Sequence, residues 1–119
     1  MNTLKERNKL VEAEIKRLKL IFKDMPEDKM KVVEGLITQA SRLRVLLNDM
    51  WIDISEKGDY ESFTQSKELD PYERKRPIAD LYNVRDNAYH KVIKQLIDYL
   101  PENTGDIKDK VNSSGGDLI

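Results

Sequence analysis

The chain has 119 residues, enough for one domain with a modest core. Its 21 basic and 22 acidic residues leave a formal charge of −1, so any attraction to phosphate must come from local clustering. The absence of cysteine excludes disulfides, a thiolate nucleophile and a cysteine-held metal, while 36% charged residues with few glycines and prolines favour helix over sheet.

The opening residues lack the apolar run of a signal peptide, and no stretch of about 18 apolar residues occurs. The expectation is a soluble, intracellular protein with no membrane contact. Residues 3–23 read as a first helix. Thr3 and Glu6 have the spacing of a capping box, in which each side chain bonds the other's backbone N–H. Leu4, Val11, Ile15, Leu18 and Phe22 then trace a narrow, coiled-coil-like seam. Seven basic residues against three acidic ones give residues 1–23 a local charge of +4.

Pro26, followed by Glu27 and Asp28, breaks that helix and suits the first turn of the next. The second helix is expected from Pro26 to about Lys57, with an apolar stripe that includes Val33, Ile37, Leu43, Leu47, Met50 and Trp51. Gly35 lies inside it at a cost of roughly 1 kcal/mol relative to alanine, which close approach of another helix would explain. Gly58 is a natural stop. Residues 58–76 read as either a short strand near 60–66, its partner supplied by another chain, or an irregular loop with a turn at Asp70-Pro71. The third helix runs between Pro77 and Pro101, with apolar residues from Ile78 to Leu100 recurring every three or four positions. Beyond it, residues 102–119 carry four acidic residues against two lysines and a Ser-Ser-Gly-Gly run, the composition of a flexible acidic tail. The expected fold is therefore all-α, with three long helices in residues 1–101 arranged as a helical hairpin plus a C-terminal helix.

Catalysis finds no foothold. His90 is the single histidine and reads as a surface residue of an amphipathic helix, and no zinc motif, phosphate loop or nucleotide fingerprint occurs. The expectation is a protein that is no enzyme and has no cofactor or metal. Lys5, Arg7, Lys9, Lys16, Arg17 and Lys19 on the first helix, with the cluster Arg74-Lys75-Arg76, are the candidate contacts to DNA phosphates. No helix-turn-helix signature points to base-specific reading. Val11, Ile15, Leu18, Phe22, Leu47, Trp51, Tyr89, Val92 and Leu96 are the expected core or oligomer contacts.

Lys57-Gly58, Pro77, Tyr82-Asn83, Tyr89 and above all Val92-Ile93-Lys94-Gln95-Leu96-Ile97-Asp98-Tyr99-Leu100-Pro101 resemble the small terminase subunits of tailed phages and prophages of Gram-positive bacteria. Residues 22–47, FKDMPEDKMKVVEGLITQASRLRVLL, resemble that group's central phrase, and the likeness covers roughly residues 15–101. The resemblance implies a non-catalytic homo-oligomeric ring in the bacterial cytoplasm. Such a ring binds double-stranded phage DNA at the packaging site and delivers it to the large terminase subunit, which holds the ATPase and nuclease. It also implies that the tail contacts that large subunit. The alternative is a coiled-coil-type adaptor or phage regulatory protein that oligomerises without binding DNA.

Overall fold

The computed structural model describes residues 2–100. It contains three helices, α1 (Leu4–Ile21), α2 (Glu27–Lys57) and α3 (Pro77–Asp98), and two strands, β1 (Tyr60–Phe63) and β2 (Tyr72–Lys75). The expected tail at 102–119 lies outside the described residues.

Each helix begins and ends where local chemistry dictates. The Thr3 hydroxyl accepts from the Glu6 N–H while the Glu6 carboxylate accepts from the Thr3 N–H, a closed capping box. Glu27 and Asp28 occupy the first turn of α2 and favour its positive end. Gly58, at φ 79°, ends α2 in the left-handed region that side chains resist. Pro77 opens α3 after Arg76.

Both α1 and α3 pack along α2. The three helices meet in one cluster formed by Leu18 and Phe22 of the α1 end, Val33, Ile37 and Ala40 of α2, and Leu96 and Leu100 of the α3 end. Burial of each such side chain is worth roughly 1.5–3 kcal/mol, which ties the start of α2 to the ends of its two neighbours. Further along α2, Trp51 meets Tyr82 with ring centres 5.9 Å apart. Trp51 is 57% exposed, so it stands at the edge of the helix pair and not in the core. Leu18, Phe22, Leu47 and Leu96 are buried, whereas Val11, Ile15, Tyr89 and Val92 are half-buried.

Two expectations are corrected. The fold is mostly helical but not all-α: β1 pairs antiparallel with β2, in the register Tyr60↔Lys75 to Phe63↔Tyr72. The partner of the strand near 60–66 is thus residues 72–75 of the same chain, and not another chain. Gly35 also has nothing among the described residues within 4 Å of the place a Cβ would occupy, so no described element makes use of its missing side chain. Among the described residues, no helix is long and apolar enough to cross a membrane.

Candidate nucleic-acid interface

The basic residues separate into two sets. Lys5, Lys9, Lys16 and Lys19 are exposed, and none stands in an ion pair among the described residues. At about 100° per residue they fall within about 80° of the α1 surface and extend over about 21 Å. Glu12 is the one acidic side chain within that arc. Among the described residues nothing covers this side of α1, whose buried side faces α2 through Leu18.

The other five candidate cations are engaged within the chain. Arg7 donates from Nε to Asp49 Oδ2 at 2.7 Å, and Asp49 also accepts from Asn2 Nδ2 at 2.8 Å. The Asp49 side chain is 1% exposed, so this pair fastens the start of α1 to the middle of α2. Arg17 forks onto Glu14 one turn earlier, with Nε 3.0 Å from Oε2. Arg74 pairs with its cross-strand neighbour Glu61 at 2.8 Å and lies over the Phe63 ring, 3.5 Å from its centre. Lys75 donates to Asp80 at 2.9 Å, and that hydrogen bond to the carboxylate raises the lysine's pKa above its ordinary value. Arg76 donates to Asp53 Oδ2 at 2.6 Å and to the Gly58 carbonyl at 2.7 Å, which clamps the hairpin base onto the end of α2. Arg74-Lys75-Arg76 is a run in sequence but not a patch in space: the three side chains go to three different carboxylates.

Asp53 makes the hairpin clamp pH-dependent. The Arg76 hydrogen bond chiefly, with Lys57 adding to it, holds the Asp53 carboxyl below its usual pKa. A carboxylate depressed in the folded state lends stability that is complete above its unfolded pKa and is lost as pH falls through the folded one. Stability should therefore fall below about pH 4, and Asp53→Asn should be less stable at pH 6 and less sensitive to acid. Urea denaturation at pH 6 and pH 3 checks this. An equal acid loss in the variant would contradict it.

The carboxylates that claim these arginines were not singled out by sequence. Asp49 and Asp53 lie one turn apart on α2 in the row that continues Ser41 and Val45, all buried. Acidic residues recurring at four-residue spacing in line with a buried row are the signal that could have marked them. His90 is exposed beside Asp86 at 3.5 Å, one turn away. Among the described residues, no three His, Cys, Asp or Glu side chains gather as a metal would require. No protein-family model, curated protein or solved structure matches this chain.

Proposed function

We propose that this chain is a non-catalytic DNA-packaging adaptor of the small terminase kind. It works as a homo-oligomeric ring in the cytoplasm of a bacterial host, binds double-stranded phage DNA and passes it to the large, ATP-hydrolysing subunit. The observation that carries the reading is the row Lys5, Lys9, Lys16 and Lys19, exposed along one side of α1 and in no ion pair among the described residues. Each lysine set against a phosphate releases a condensed counterion, and repetition around a ring multiplies the field. The chain's acidic balance does not oppose this, because exposed charges beyond roughly 8–10 Å are screened at ordinary salt.

A second reading is an oligomeric adaptor or phage regulator that never touches DNA. What favours it is the internal pairing of Arg7, Arg17, Arg74, Lys75 and Arg76, which leaves few cations for a phosphate backbone.

Fluorescence anisotropy with a labelled duplex separates the two. Replacing the four lysines together with alanine should weaken binding by at least about tenfold at low salt. The helical signal should be unchanged, since all four side chains are exposed. A variant that binds as the parent does, or a parent that binds no duplex, overturns the DNA reading and leaves the second.

A further inference from the structure

Arg44 and Trp51 of α2 each meet a tyrosine of α3. The Arg44 guanidinium lies over the Tyr89 ring, 6.0 Å from its centre, and the Trp51 ring lies 5.9 Å from that of Tyr82. With Asn48 between them, Arg44 and Trp51 follow the i, i+4, i+7 spacing of a single helix face. That face looks into the gap between α1 and α3, since Arg44 and Asn48 also line a cavity of about 400 Å³ against α1. Leu10 and Val45 are apolar walls of the cavity, and Glu14, Arg17, Arg44 and Asn48 are its polar groups.

Charge selects an anion for this cleft. Its lining holds two cations against one carboxylate, a balance of 2 − 1 = +1. Glu14 is taken by Arg17, whereas Arg44 is exposed and stands in no ion pair among the described residues. Asp86 of α3 stands against His90 at 3.5 Å and is not part of the lining. A guanidinium steadied by an aromatic ring retains its N–H donors, and its planar fork matches a phosphate or carboxylate. The aromatic end selects a ring. Trp51 is 57% exposed, so the indole keeps free surface beside Tyr82 on which a planar group can stack.

We infer that the cleft binds a nucleoside monophosphate, with the phosphate on Arg44, the ribose hydroxyls at Asn48 and the base against Trp51. About 10 Å of helix separates the Arg44 and Trp51 positions, a span that one nucleotide bridges from phosphate to base. The cavity volume falls within the roughly 300–1,000 Å³ of small-molecule sites. An inorganic anion would leave Trp51 without a role, and an uncharged ring would leave Arg44 without one. Leu10 and Arg17, on the cavity wall, lie roughly 130° around α1 from the centre of the lysine row. The inference therefore stands whether or not that row meets DNA.

The test is titration with adenosine 5′-monophosphate, followed by calorimetry and by quenching of Trp51, the single tryptophan. Both signals should saturate together. Adenosine and inorganic phosphate, each lacking one half of the ligand, should bind at least about tenfold more weakly. Arg44→Gln should weaken the nucleotide by about tenfold or more through loss of a charge-assisted contact. Trp51→Ala, followed by calorimetry, should weaken it by about fivefold or more through loss of stacking. Circular dichroism confirms that both variants are folded, as expected for exposed side chains. A parent that binds no nucleotide, an Arg44→Gln variant that binds as the parent does, or phosphate or adenosine that binds as tightly as the nucleotide would each overturn the inference. Pentadeoxyadenylate binding more than about tenfold tighter than the mononucleotide would overturn it in favour of a nucleic-acid strand.

Discussion

Replacing Arg7 with methionine should lower the unfolding free energy by about 3 kcal/mol, the loss expected when one member of a buried ion pair is removed. The Asp49 carboxylate is 1% exposed, against 32% for the Arg7 side chain, so water can reach the arginine but not the acid. Without Arg7 the carboxylate keeps, among the described residues, a single side-chain donor, Asn2 Nδ2 at 2.8 Å. A buried charge left without its counter-charge costs several kcal/mol to keep away from water. Urea denaturation gives the number. The double variant Arg7→Met with Asp49→Leu should recover most of the loss, because an apolar pair of similar volume makes no demand for a counter-charge. A loss below about 0.5 kcal/mol in the single variant would mean that Asp49 is not the buried anchor of α1. Lys5 and Lys9, on the exposed side of the same helix, should tolerate alanine with little effect on stability.

Ile37→Ala should cost about 3–4 kcal/mol, within the range for large-to-small changes in a packed core. Ile37 is fully buried where α1, α2 and α3 converge, in the cluster with Leu18, Phe22 and Leu96. The lost methyl groups leave a cavity that three separate helices would have to move to fill. Trp51→Ala, by contrast, removes a larger side chain that is 57% exposed, and should cost less than Ile37→Ala despite its size. Equal losses at the two positions would show that the core extends along the whole of α2 and is not concentrated at one end.

The helices were legible in sequence because period, caps and breakers agree. Thr3 with Glu6, Pro26, Gly58 and Pro77 all mark boundaries within a residue or two of those observed. The second strand was not legible, since Tyr72-Glu73-Arg74-Lys75 shows no apolar alternation. What holds it is cross-strand pairing, Arg74 to Glu61 and Phe63 to Tyr72, with rings 5.9 Å apart. The candidate interface was legible only in part. A count of lysines and arginines finds cations but cannot tell a solvated one from a partnered one. Arg7 and Arg76 find their acids 42 and 23 residues away, beyond the reach of any local pattern. Lys5, Lys9, Lys16 and Lys19 needed only the helical repeat to be grouped on one side of α1.

The contact between the lysine row and duplex DNA is tested most directly by its salt dependence. Four phosphate contacts per protomer imply that the logarithm of the association constant falls against the logarithm of salt concentration with a slope of about −3.6. The variant lacking Lys5, Lys9, Lys16 and Lys19 should lose most of that slope together with its affinity. A slope near zero in the parent, or an equal slope in parent and variant, would contradict a phosphate-binding role for α1.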